Sequence, residues 1–195
     1  MSCTSAEAKP ESNGVGHHPA VTVRLATWRD AQAVFLLREA LDRECTSIAG
    51  IPIDSSDEMM ARVCHHTNSW FFDGSIAVLL AERDGKPVGY AMLTDSLVFG
   101  RSRGMSIAAF YVADASRNTA VVVALYREML RFIACTNAKR SQCIVAIGNE
   151  RMERFVAAKG FKPVAVIYNR EIEDGWSELW RKKGPEVHRE GLGRA

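Results

Sequence analysis

The chain alternates between segments in which apolar residues recur at every second position and segments in which they recur every three or four. The first spacing is typical of β-strands and the second of amphipathic helices. Taken in order from residue 21, the spacings predict the element order β-α-α-β-β-β-α-β-α-β. This order predicts an α/β fold, in detail an α+β mixed sheet whose N-terminal half is antiparallel.

Short polar motifs predict where several of these elements begin and end. Residues 27–30 (Thr-Trp-Arg-Asp) and 55–58 (Ser-Ser-Asp-Glu) have the spacing of capping boxes at helix N-termini. Asn149 is placed to cap the last helix, and Gly160 to end it. The pair Asp84-Gly85 between two apolar runs is a strong signal for a tight hairpin.

The segment 107–125 (IAAFYVADASRNTAVVVAL) suggests a binding site. An apolar strand runs through Val112 into a polar turn that carries Arg117, and a helical pattern follows with no gap. The first N–H groups of a helix have no intrahelical partner, and the positive end of the helix dipole lies beside them. Such a turn binds anions, so we expect a phosphate or pyrophosphate here.

Composition excludes several classes of function. The chain is 47% hydrophobic and 25% charged with a net charge of +2, which gives no basic stripe for nucleic acid. No segment has the length of a membrane span, and the N-terminus has no signal-peptide core, so we expect neither a membrane protein nor a secreted one. Five cysteines without metal-ligand spacing are typical of reduced thiols, which predicts a cytoplasmic protein without a metal site.

Two predicted strands follow the central helix, at residues 143–147 and 163–168, and Cys143 is expected to be buried and inert in the first. Residues 1–20 have the composition of a disordered leader, and residues 173–195 that of a tail. In the tail Trp176 and Trp180 have helical spacing, so they could dock onto the domain or form a contact in a homodimer.

Two motifs of the chain resemble those of the GNAT superfamily of acyl-CoA-dependent N-acyltransferases, over about residues 21–172. The first has the spacing of the Val-x-x-x-x-Arg/Gln-Gly-x-Gly-x-Gly/Ala pattern without an insertion. The second has the spacing of the family's Asn, apolar helix face and Tyr-x-x-x-Gly-Phe. In both motifs the order and spacing match, and the residue identities match in part. The matching positions are Val112, Arg117, Asn118, Ala120, Val122 and Leu125, and then Asn149, Met152, Phe155, Val156, Gly160 and Phe161.

The resemblance implies an N-acetyltransferase that moves the acetyl group of acetyl-CoA to a primary amine by direct attack in a ternary complex. It also implies that part of the fourth strand splays from the fifth, which leaves strand amides free for the pantetheine arm. The residues that would bind the co-substrate are Phe110, Tyr111, Val112, Arg117, Asn118, Thr119, Ala120, Val121, Val122 and Asn149.

This chain departs from the family pattern at positions that carry chemistry. Asn118, Ala120 and Val122 replace the three glycines of the turn, although backbone amides at these positions can still donate. Val156 stands where many members have a tyrosine that can protonate the departing thiolate.

The catalytic candidates are therefore residues of suitable chemistry elsewhere. Tyr111 and Tyr168 are candidate acids, and Glu82 is a candidate base, with Asp95 and Glu39 as further carboxylates. The acceptor stays open between a protein or peptide amine, an amino acid and a polyamine. The substituted glycines and the missing tyrosine leave one alternative, a catalytically inactive GNAT-like binding or assembly module.

Overall fold

A computed structural model describes residues 20–164, except positions 52, 99–101 and 118, and gives the backbone alone at 97, 98, 102, 103 and 119. The leader up to residue 19, Asn118, Tyr168, Trp176 and Trp180 lie outside the described residues. Contacts divide the chain into two units, Met1–Phe161 and Lys162–Ala195. In the second unit residues 162–164 are described, and they are irregular, so the predicted strand at 163–168 lies mostly outside the described residues.

The first unit contains five strands and four helices among its described residues. Short 3-10 turns, Trp28–Asp30 and Asp114–Ser116, precede the first and third helices. In chain order the elements are β1 (Val21–Leu25), α1 (Ala31–Ala49), α2 (Asp57–Ser69), β2 (Ile76–Arg83), β3 (Lys86–Val98), β4 (Ser102–Val112), α3 (Thr119–Cys135), β5 (Arg140–Cys143) and α4 (Glu150–Ala158).

The strands form one mixed sheet in the order β1-β2-β3-β4-β5. Neighbours from β1 to β4 are antiparallel, and β5 is parallel to β4. The antiparallel N-terminal half predicted from the hydrophobic pattern is confirmed. A register shift lies at Ala81/Glu82 and another at Met92/Leu93.

Helices cover both faces of this sheet. On one face α1 packs through Val34 and Leu37 against Leu80 and Tyr90 of the sheet. The other face is covered by α3, whose side chains Val121, Leu125 and Met129 pack against the sheet in a second cluster. Each large side chain buried in these two layers contributes about 1.5–3 kcal/mol to folding.

Most of the local motifs are confirmed. The N–H of Thr27 donates to Asp30 at 2.7 Å, and the side chain of Asn149 accepts from the N–H of Met152 at 3.1 Å. Asp84 and Gly85 form the β2–β3 hairpin turn, with φ of 51° and 72°. Gly160 has φ of 84° just after α4.

Two expectations are corrected. The cap of α2 is Ser56 rather than Ser55, because the Ser56 hydroxyl accepts from the N–H of Met59 at 3.3 Å. The strand expected at 143–147 is β5, which ends at Cys143.

The pairing of β5 with β4 explains why the strand lies earlier in the sequence than predicted. β5 is held to β4 between Arg140 and Cys143, and the apolar residues beyond leave the sheet, with Ile144 69% and Ile147 72% exposed. Cys143 is half-buried, and this burial raises the pKa of its thiol.

No helix among the described residues is long and apolar enough to cross a membrane. In the same part of the chain, no group of three or more His, Cys, Asp or Glu side chains is arranged to hold a metal ion.

Candidate functional site

The end of β4 has an open edge. Pairing of β4 with β5 ends at Ile107 opposite Cys143, while β4 continues to Val112. Beyond Ile107, β4 is paired to β3 on its other side. Among the described strands none pairs with the second edge of β4 from 108 to 112, so the two strands separate there as the family resemblance implies.

Backbone groups of successive strand residues point to opposite edges, and this alternation determines which amides face the open edge of β4. The carbonyl of Tyr111 faces β3, because a Cβ built on Gly89 would lie 2.7 Å from it, and the N–H of Ala113 donates to the Val88 carbonyl at 2.8 Å. Successive residues point to opposite edges. The backbone groups of Phe110 and Val112 therefore point to the open edge.

The turn after β4 leads to the N-terminus of α3. The N–H of Ser116 donates to Ala113 and the N–H of Arg117 to Asp114, so both amides are used within the turn. Thr119 and Ala120 begin α3, and an α-helix provides no internal acceptor for N–H groups in its first turn. These amides and the helix dipole lie next to the open edge of β4, as an anion site requires.

Arg117 ties this turn to two other parts of the site. Its Nε donates to the Val112 carbonyl at 2.6 Å, and one Nη pairs with Asp114 at 2.5 Å. The other Nη pairs with Glu44 of α1. The side chain is 16% exposed, and although burial opposes the charge, the two carboxylates raise the pKa of the guanidinium. These contacts engage three of its five N–H groups.

Tyr111 lies directly under this guanidinium. The Arg117 Cζ is 5.2 Å from the centroid of the Tyr111 ring, and Tyr111 as a residue is 8% exposed. Burial raises the pKa of the phenol above its usual value, and the nearby positive charge of Arg117 opposes this only in part. The phenol is therefore protonated at neutral pH and can donate a proton or a hydrogen bond.

The helix α4 contacts side chains of β4 and α3 through Phe155. The ring of Phe155 stacks on Phe110 at 5.8 Å and meets Tyr126 of α3 edge-on at 5.4 Å. Val156 and Phe110 line a narrow cavity of about 10 Å³ between β4, β5 and α4. Asn149 caps α4 at its N-terminus with its side-chain oxygen.

The two valines at the start of α3 pack inward. Val121 is fully buried in the core beneath α3, and Val122 is half-buried against the same cluster. Their side chains therefore contribute to the packing of α3, and Ala120 is exposed at its start.

The structure does not bring the candidate carboxylates to this edge. Glu82 lies two strands from β4, about 10 Å away, and its carboxylate pairs with Arg24 at 2.7 Å. Glu39 pairs with Arg43 at 2.7 Å. Asp95 is opposite Met105, seven residues along β4 from Val112, which is about 23 Å. These assignments as bases stay predictions.

Sequence reasoning missed Glu44, the residue that holds Arg117. The sequence marks Glu44 through its position in α1. It follows Leu37 by seven residues and therefore lies on the same apolar stripe of the helix. A carboxylate on the buried stripe of a helix needs a partner. The partner is 73 residues away in the sequence, and the fold alone brings it near.

Comparison with known proteins identifies the family. The model of the acetyltransferase (GNAT) family matches residues 36–161, which is more than half of the chain. The chain belongs to the GNAT acetyltransferase family. The resemblance stated from the two sequence motifs is confirmed.

Relatives and solved structures agree with this family. An uncharacterized N-acetyltransferase of Mycobacterium bovis is 35% identical over 86 residues, 44% of this chain and 53% of the relative, and its counterpart in Mycobacterium tuberculosis matches equally. The chain spans about half the length of these curated relatives.

Two solved structures share the fold of this GNAT protein. The aminoglycoside N-acetyltransferase AAC(6')-Iy in complex with CoA has a TM-score of 0.63 at 14% identity, covering 80% of this chain and 98% of its own. The ribosomal-protein-alanine N-acetyltransferase of Brucella melitensis has a TM-score of 0.58 at 16% identity, covering 78% and 100%.

Proposed function

We propose that this GNAT protein transfers the acetyl group of acetyl-CoA to a primary amine. The observation that supports this most directly is the open edge of β4 beside the N-terminus of α3. Strand amides at the edge suit the amide groups of pantetheine, and the helix N-terminus suits the pyrophosphate.

In this proposal the pyrophosphate is bound by the backbone amides of Thr119 and Ala120 at the start of α3 and by N–H groups of Arg117. Phe110 and Val112 hold the pantetheine arm and align the thioester, and Asn149 adds a contact from α4. None of the glycine substitutions removes a backbone donor.

The reaction would then proceed by direct attack. The amine nitrogen forms a bond to the thioester carbon, the carbon–sulfur bond breaks, and the amine loses one proton while the CoA thiolate gains one. The N–H groups at the β4 edge stabilise the developing oxyanion. The Tyr111 phenol is the proposed donor to the thiolate, and Tyr168 is the second candidate.

Titration calorimetry with acetyl-CoA tests the binding step, with desulfo-CoA and adenosine 3',5'-bisphosphate as comparators. We expect micromolar binding that requires the pyrophosphate. Replacing Arg117 and Asn118 together is expected to raise the dissociation constant at least about tenfold, which corresponds to about 1.4 kcal/mol. An unchanged affinity in this variant would show that the turn does not bind acetyl-CoA.

A thiol-release assay with a panel of amines tests the transfer step. Turnover with a protein, peptide, amino acid or polyamine amine identifies the acceptor class. Tight acetyl-CoA binding without turnover on any amine would instead support a binding or assembly module.

A further inference from the structure

A second cavity lies at the opposite end of the sheet. It has a volume of about 510 Å³ and is bounded by the segment after β1, by residues 70–78 before and within β2, and by Phe132 near the end of α3. Phe132 is 13 residues along α3 from Thr119, which places it about 20 Å from the pyrophosphate turn. The volume is in the range of small-molecule sites, about 300–1,000 Å³.

Aromatic rings form much of its wall. Trp70 is buried at 4% exposure, and Phe71 lies beside it. At the rim Trp28 is 63% exposed and Phe72 81% exposed. Large aromatic groups left exposed around one concavity indicate a surface that has a ligand.

The lining residues include acidic side chains. They include the carboxylates of Asp73 and Asp95, and among the described residues that line the cavity there is no Lys, Arg or His. Asp73 accepts hydrogen bonds from the Ser75 N–H and hydroxyl, both at Oδ1, which hold the pKa of this carboxyl below its usual value. Its Oδ2 accepts no hydrogen bond from any residue in the described part of the chain.

Two of these aromatic rings already contact cationic side chains of the same protein. The Arg29 guanidinium lies 5.5 Å from the Trp28 ring, and Arg38 lies 4.7 Å from the Trp70 ring. Aromatic faces beside an ionised carboxylate are the arrangement that recognises ammonium groups. Phe72, the most exposed of the rings, holds no such partner in the described structure.

We propose that this cavity binds a small organic cation, an ammonium group on an apolar body. The ammonium would lie between Asp73 Oδ2 and the ring of Phe72, and the apolar body would contact Trp28 and Trp70. The site is separate from acetyl transfer and does not depend on it.

An amide-resolved NMR titration of the full chain with benzyltrimethylammonium tests this. The probe has no N–H and cannot be acetylated, so its binding reports nothing about the transfer site. We expect shifts concentrated at residues 70–77, and a dissociation constant on the order of 0.1–1 mM, as a ligand of about ten heavy atoms can reach. Phenylacetate and 2-phenylethanol are expected to bind at least about fivefold more weakly.

Two variants probe the site. Phe72→Ala and Asp73→Asn are each expected to weaken binding at least about threefold, the asparagine keeping the acceptor for Ser75. Leu36→Ala, exposed at 55% and outside the lining, is the matched control and leaves binding unchanged. Equal affinity for the three probes, shifts centred on residues 111–121, or no saturable binding would each overturn the proposal. Acetyl-CoA calorimetry on the same samples reports the proposed function independently.

Discussion

Glu44→Gln tests whether Arg117 only stabilises the fold, through its pair with Glu44, or also binds the proposed pyrophosphate. In the structure the guanidinium is 16% exposed and Glu44 34% exposed, with Asp114 as a second, largely exposed partner. The substitution removes one negative charge and keeps an oxygen that can accept from Arg117. It therefore changes the electrostatics of the turn more than its geometry.

Two effects of opposite direction follow. The pair is intermediate between surface pairs, worth about 0–1 kcal/mol, and buried pairs, whose disruption costs about 3–5 kcal/mol, so we expect the free energy of unfolding to fall by about 1 kcal/mol. The Glu44 carboxylate would lie about 7 Å from a phosphate held by Arg117, where repulsion between unit charges is about 1–2 kcal/mol. Removing it is expected to lower the dissociation constant of acetyl-CoA about fivefold.

Urea unfolding and titration calorimetry on the same preparations measure both quantities. Glu39→Gln is the matched control, because Glu39 lies on the same helix and pairs with Arg43 at a distance from the turn. It is expected to change the stability by less than about 0.5 kcal/mol and the affinity not at all. If Glu44→Gln instead weakens acetyl-CoA binding, Arg117 acts only by holding the turn, and its direct contact with the pyrophosphate is refuted.

Three further predictions concern the scaffold of the site. Gly89→Ala places a Cβ 2.7 Å from the Tyr111 carbonyl and is expected to cost about 1–3 kcal/mol in urea unfolding, whereas Gly74→Ala, with open space around it, should leave stability nearly unchanged. Asp30→Asn breaks a pair with Arg24 that holds the pKa of Asp30 below its usual range. That stabilisation, about 1 kcal/mol because Arg24 is 42% exposed, is present above about pH 4 and is lost as the pH falls further, so the two proteins should converge in stability at low pH. Phe155→Ala removes the ring contacts that hold α4, so hydrogen exchange in α4 is expected to accelerate at least about fivefold while exchange in β2 stays the same.

Features determined by a few neighbouring residues were predictable from the sequence. The Asp84-Gly85 hairpin, the Thr27–Asp30 cap and the cap at Asn149 each depend on backbone preferences and hydrogen bonds within about four residues. The hydrophobic spacing predicted the order of the elements from β1 to α4, and the family resemblance implied the separation of β4 from β5.

Features determined by long-range pairing were not predictable in this way. The end of β5 at Cys143 follows from its register against Ile107, and nothing in the apolar run 143–147 shows where β4 stops being its neighbour. The Glu44–Arg117 pair joins residues 73 apart, and spacing alone marked Glu44 only as a charge on an apolar stripe. Such contacts depend on the assembled sheet and helices.

The open edge of β4 also has a consequence for the solubility of the protein. An unpaired strand edge can pair with the edge of another molecule, and proteins usually cover such edges or interrupt them. The Val112 carbonyl at this edge already accepts from Arg117, but the backbone groups of Phe110 and the Val112 N–H also point to the edge. A pantetheine arm lying along the edge would occupy the same hydrogen-bonding groups, so co-substrate would protect the protein from self-association as well as take part in the reaction. Stocks prepared with CoA are therefore expected to remain monodisperse at concentrations where the free protein associates.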